Sequence, residues 1–174
     1  MKGLMNLKQE AIKSFGSTTR EFESGAHRDG SVDEKGNLKG RCDLIPLGPM
    51  AEIMGNDPVI TEISLFFETK DPQHVIKAVQ NSLQTVPEYE GNYSTMFLEV
   101  AKLYQAGAEK YGENNWRRGM PLKFYFDSGI RHYLKTLRGD DDEPHYRGFI
   151  WNMLGALETM KTNPSSLDDL IVVE

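Results

Sequence analysis

From Met96 to Tyr111 the apolar positions fall at 96, 100, 103, 104, 107 and 111, spacings of three and four that predict a helix with one buried stripe. Ser94 or Thr95 is placed to cap it, and Gly112 to stop it. Pro121 opens a second periodic stretch, Leu122 to Arg138, closed by Gly139. A third begins after Asp140-Asp-Asp-Glu143 and Pro144 and runs to about Lys161. Short glycine-containing and polar connections between three such helices predict an antiparallel bundle, so the fold class expected is mainly α.

Upstream the pattern is weaker. Pro72 followed by apolar residues at 75, 76, 79 and 83 predicts another helix. Val59 to Phe67 is rich in β-branched and aromatic residues and fits a strand or a helix equally. Gly40 to Pro46 reads as a structured loop, because Pro46, Gly48 and Pro49 exclude a regular helix there. Residues 1–37 are polar and rich in Gly, Ser and charge, with a helical hint only at Leu7 to Phe15, and read as an arm outside the core.

Composition narrows the class. With 174 residues the expectation is one domain, 1–174. Lys plus Arg number 20 against 26 Asp plus Glu, a net charge of −6, which disfavours nucleic acid and anionic membranes as partners. The one cysteine, Cys42, excludes an internal disulfide and a thiolate zinc site and fits a reducing cytoplasm. No apolar run has the length of a spanning helix, and Met1 to Gln9 lacks the order of a secretion signal, so an unprocessed cytoplasmic protein is expected.

Four groups of residues carry candidate chemistry, each with two open readings. On the third helix His145, Phe149, Asn152 and Ala156 share a stripe; the polar pair is either a satisfied part of the core or part of a site. Gly148 and Gly155, seven apart beside it, let another helix approach. The run from Asp140 to Glu143 is either a set of helix-capping carboxylates or a group of oxygen ligands for Mg²⁺ or Mn²⁺ beside His145. On the second helix Asp127, Arg131 and Arg138 share a flank, as surface ion pairs or as a grip on phosphates, and His132 points away from Asp127. Lys110 to Gly119, containing Asn115, Trp116 and two arginines, is either a core-covering loop or a base stack with phosphate contacts.

Six blocks in fixed order narrow these choices. Phe22 to Asp29, Lys39 to Pro46, Gly107 to Gly112 with Asn115-Trp116 and Gly119, Asp127 with Arg131-His132, Gly139 with Asp142-Glu143 and His145, and Trp151-Asn152 together resemble the dATP/dGTP diphosphohydrolase N-terminal domain family. That family consists mostly of phage proteins allied to the MazG-like nucleotide pyrophosphohydrolases. The resemblance implies an all-α, homo-oligomeric (dimeric or tetrameric) enzyme that releases pyrophosphate or phosphates from purine (deoxy)nucleoside triphosphates with Mg²⁺ or Mn²⁺. It implies metal ligands at Asp127, Asp142 and Glu143, with Asp140 in reserve, and catalytic roles for Asp142, Glu143 and His145. Lys39, Arg41, Lys110 and Arg131 would face phosphates, Asn115 and Trp116 the nucleoside, while His132, His145 and Asn152 complete the site.

The chain also departs from the wider group. The paired ExxE and ExxD helix signature is not visible, since Glu99 is followed three places later by Lys102 and Asn152 stands where an aspartate is sought. Residues 51–93 read as an insertion. The departure leaves a second function class open, a non-catalytic nucleotide-binding or phage interaction protein on the same fold. An HD-type phosphohydrolase is excluded because the four histidines precede Arg28, Val75, Tyr133 and Tyr146, never an aspartate.

Overall fold

The computed structural model describes residues 19–89 and 91–170, so the helical hint at Leu7 to Phe15 lies outside the described residues. Contacts cluster into two units, Met1–Arg41 and Cys42–Glu174. In the first, β1 (Thr19–Glu21) pairs antiparallel with β2 (His27–Asp29), Arg20 opposite Arg28. Asp33 shapes the following turn by accepting the N–H groups of Lys35 and Asn37, and those Asn37 bonds hold its carboxyl below the usual range.

The second unit is helical: α1 (Leu47–Ile53), α2 (Pro58–Thr69), α3 (Pro72–Thr85), α4 (Tyr93–Tyr111), α5 (Leu122–Arg138) and α6 (His145–Thr162). Short 3-10 turns occupy Cys42–Leu44, Pro87–Tyr89, Asn115–Arg118 and Pro164–Leu170. The fold is mainly α. Among the described residues no helix is long and apolar enough to cross a membrane.

The β-branched run resolves as α2, and its start explains why. Asp57 accepts the N–H groups of Val59 and Ile60, both at 3.0 Å, and Pro58 fixes the first helical φ. Val59, Ile60, Ile63 and Phe66 then fall on one buried face, which outweighs their strand preference. The same Asp-Pro device starts α3, where Asp71 accepts the Gln73 N–H at 2.9 Å. These helices feed the core: Phe66 stacks on Phe126 of α5 at 4.8 Å, and the Tyr133 hydroxyl donates to Asp57 Oδ2 at 2.9 Å. Burial raises the pKa of that hydroxyl, so it stays a donor.

Two details of the C-terminal half differ from expectation. The cap of α4 is Asn92, which accepts the N–H groups of Ser94 and Thr95, two or three residues earlier than the expected cap. Within the α4 stripe only Met96 and Val100 are buried; the remainder is half-buried, because α4 lies at the edge of the bundle.

Helices α5 and α6 pair antiparallel as a hairpin, and glycine sets their closeness. A methyl at Gly129 would lie 2.6 Å from Met153 Cε, and one at Gly155 would enter the Tyr125 ring. Gly155→Ala therefore lowers stability by about 1–2 kcal/mol, since overpacking exceeds the gain in helix propensity. Gly107→Ala, where nothing lies within 4 Å, raises it by up to about 1 kcal/mol. Urea midpoints at unchanged slope would measure both.

Candidate functional site

The site grows from the turn of the α5–α6 hairpin. Gly139, in the left-handed region at φ 81°, ends α5 and sends the chain through Asp140 to Pro144. Pro144 stands at the N-cap of α6, and no side chain makes a cap hydrogen bond there, so the acidic run does not serve as the cap. The carboxylates turn to other partners. Asp140 accepts from Arg138 Nε at 2.6 Å, and this bond holds its carboxyl below the usual range. Asp142 Oδ1 lies 2.7 Å from His145 Nε2, and Lys135 Nζ donates to its Oδ2 at 3.4 Å. The His145 contact is the main reason that the Asp142 carboxyl is also held low, with Lys135 reinforcing it.

His145 is 2% exposed, yet both of its ring nitrogens are engaged. Its Nδ1 lies 3.0 Å from Nδ1 of His132 on α5 and 3.2 Å from Glu143 Oε1. The remaining edge, His132 Nδ1 to Glu143 Oε1, is 3.7 Å. His132 keeps this position because α6 offers bare backbone at Gly148, where a methyl would lie 2.6 to 2.7 Å from three atoms of the imidazole. Among the described residues, two sets each have their donor atoms within 4.8 Å of one another: one is His132, Glu143 and His145, the other Asp140, Asp142 and His145. The donors, two imidazoles and three carboxylates, suit a divalent cation.

Asp127 lies elsewhere on α5. Its Oδ1 accepts the Cys42 N–H at 2.8 Å and pairs with Arg131, fixing the Cys42–Leu44 turn against the helix. Burial raises the pKa of the Cys42 thiol, which fits a packing role. Asn152 is buried and donates to Gly148 O at 2.6 Å, so this bond runs back along its own helix and not to a neighbouring one.

Lys110 lies in the last turn of α4, its Nζ 4.9 Å from the Tyr111 ring, and Asn115 and Trp116 lie on the 3-10 turn between α4 and α5. Asn115 is buried, and Trp116 meets Tyr104 edge-on at 5.7 Å while the Arg117 guanidinium sits 5.0 Å from its ring. Tyr104 continues to Trp151, and Trp151 to Tyr125. Since Trp151 follows His145 by six residues and Tyr125 precedes His132 by seven, this aromatic cluster is about 10 Å along the hairpin from the histidines. Lys39 and Arg41 belong to the N-terminal unit.

Sequence reasoning did not anticipate the direct meeting of His132 with His145, nor the seating of His132 on Gly148. The available signal was a glycine three residues after His145, facing a histidine thirteen residues before it.

A family model described as dATP/dGTP diphosphohydrolase, N-terminal, matches residues 72–169, more than half of the chain. The chain belongs to this family. The matched region contains α3 to α6, and with them every candidate residue except Lys39 and Arg41. As a dATP/dGTP diphosphohydrolase N-terminal domain, the chain falls in a family named for nucleotide hydrolysis. No curated protein and no solved structure gives a significant match.

Proposed function

We propose that this chain hydrolyses purine (deoxy)nucleoside triphosphates, (d)GTP or dATP, to the monophosphate in a reaction that requires Mg²⁺ or Mn²⁺, within phage nucleotide metabolism. The observation that supports it most is the convergence of Asp142, Glu143, His145 and His132 at the start of α6, inside the region that matches the family. Water attacks the α-phosphorus, the bond to the bridging oxygen breaks, and pyrophosphate leaves. Bound through Asp140 and Asp142, the metal would neutralise the phosphate chain and favour in-line attack.

The protein side chains supply the rest. Asp142 holds the His145 ring in one orientation, and Glu143, half exposed, accepts the proton of the attacking water through its second carboxylate oxygen. Arg131, held by Asp127, and Lys110 face the phosphates. Asn115 and Trp116 meet the nucleoside, and Asn152 supports the seat of His132. Assembly as a dimer or tetramer fits the partly exposed α4, where Tyr93, Phe97 and Leu98 face solvent.

The deciding test incubates the protein with a panel of nucleoside triphosphates and identifies products by chromatography. Purine triphosphates are expected to give monophosphate and pyrophosphate, turnover to stop in chelator, and excess Mn²⁺ or Mg²⁺ to restore it. Nucleotide binding without product would favour the non-catalytic binding protein. Full turnover in chelator would sink the metal requirement.

A further inference from the structure

Carboxylates that suit a triphosphate-bound cation need no imidazoles, yet two face each other here. Their Nδ1 atoms and Glu143 Oε1 make a triangle with edges of 3.0, 3.2 and 3.7 Å. Three donors bound to one tetrahedral ion at the usual zinc distances stand about 3.3 Å apart, so the edges straddle that value. The ring of His145 is set for the same purpose. With Nε2 beside the Asp142 carboxylate at 2.7 Å, the neutral ring carries its proton there and presents the Nδ1 lone pair to the triangle. This is how a second carboxylate orients a metal-binding histidine. His132 is pinned independently, by the bare backbone at Gly148. Both rings are therefore positioned without help from an ion.

We propose that His132, His145 and Glu143 form a binding site for a borderline divalent cation of the Zn²⁺ and Co²⁺ class, one that discriminates against Mg²⁺. Neutral imidazoles suit Zn²⁺ and its neighbours, whereas Mg²⁺ demands oxygen ligands and gives up water reluctantly. The ion is additional to the one that accompanies the triphosphate, and its binding requires no substrate. Asp142 acts as a positioning residue for the site, through His145.

The test uses the full-length, untagged chain, stripped with chelator and titrated with Co²⁺. One equivalent per chain is expected to bind with the intense visible absorption of low-coordinate, nitrogen-ligated Co²⁺. Zn²⁺ should abolish that absorption at equal concentration, and Mg²⁺ should leave it intact even in large excess. His132→Gln and Glu143→Gln should each weaken Co²⁺ binding by about 10- to 100-fold. His74→Gln, whose ring pairs with Glu62 on α2, and Asp141→Asn should leave it unchanged. If His132→Gln fails to fold by circular dichroism, Glu143→Gln carries the test, because that side chain is 54% exposed. Absence of the visible bands, displacement by Mg²⁺, or wild-type affinity in Glu143→Gln would overturn the site. Hydrolysis of dGTP without Co²⁺ binding would overturn this inference alone; Co²⁺ binding without hydrolysis would sustain it and remove the hydrolase reading instead.

Discussion

Glu143→Gln is expected to lower turnover of dGTP by about 10²- to 10⁴-fold, the range for removing a positioned general base. The fold should survive, because the Glu143 side chain is half exposed and caps nothing. Asp142→Asn should cost at least about 10- to 100-fold, since it weakens a carboxylate that would hold the metal as well as changing what His145 Nε2 meets. The rival account treats both residues as helix caps, and it predicts the opposite division: stability falls by roughly 0.5–2 kcal/mol and turnover barely changes. Steady-state kinetics with melting curves on the same preparations separates the two. Melting losses with intact turnover in both variants would move catalysis away from this turn.

The largest expected effect on stability lies at Asp57. One carboxylate serves two elements there. Oδ1 accepts two N–H groups at the start of α2, and Oδ2 accepts the hydroxyl of buried Tyr133 on α5. Asp57→Ala removes the cap, worth about 1 kcal/mol, and strips a buried hydroxyl of an acceptor, which costs about 1–3 kcal/mol more. Thr85 Oγ1, 3.4 Å from the same hydroxyl, recovers part of that loss. A fall of about 2–4 kcal/mol is expected from chemical denaturation. Asp57→Asn keeps a competent cap but puts an amide N–H₂, a donor, where Oδ2 accepted; the Tyr133 hydroxyl can then turn to Thr85 Oγ1, so the loss should be smaller than for Asp57→Ala. In a Tyr133→Phe background the Asp57→Ala loss should shrink towards the cap alone, a coupling that a double-mutant cycle reads directly.

How much of this could be read from the chain depended on whether the deciding interaction was local. Pro121 and Gly139 mark both ends of α5, because a fixed φ and a left-handed φ are properties of single residues. Asp57-Pro58 carried the same kind of signal for α2. The strand preference of the residues after it obscured that signal until the burial of Val59, Ile60, Ile63 and Phe66 decided the matter. The acidic run was legible as a cluster beside His145, but its use was not. Whether a carboxylate caps a helix depends on where the preceding backbone aims it, and Pro144 takes the N-cap position here. The contact between His132 and His145 follows from the register of a hairpin, which a six-residue connection does not specify. Asp127 was visible as the partner of Arg131, whereas its bond to the Cys42 N–H joins residues 85 apart and has no sequence signal.

The closeness of the two histidines along the chain bears on the order in which this protein assembles. His132 and His145 are 13 residues apart, across the shortest connection between the long helices that meet at the site, whereas the Cys42 to Asp127 bond must close a loop of 85. Loop-closure entropy favours early formation of the nearer contact. The hairpin can thus bring the donor atoms together while the N-terminal half of the bundle is still searching for its place. Later opening of α1 to α3 would leave the triangle of His132, His145 and Glu143 standing, so its integrity is tied to the least demanding step of folding.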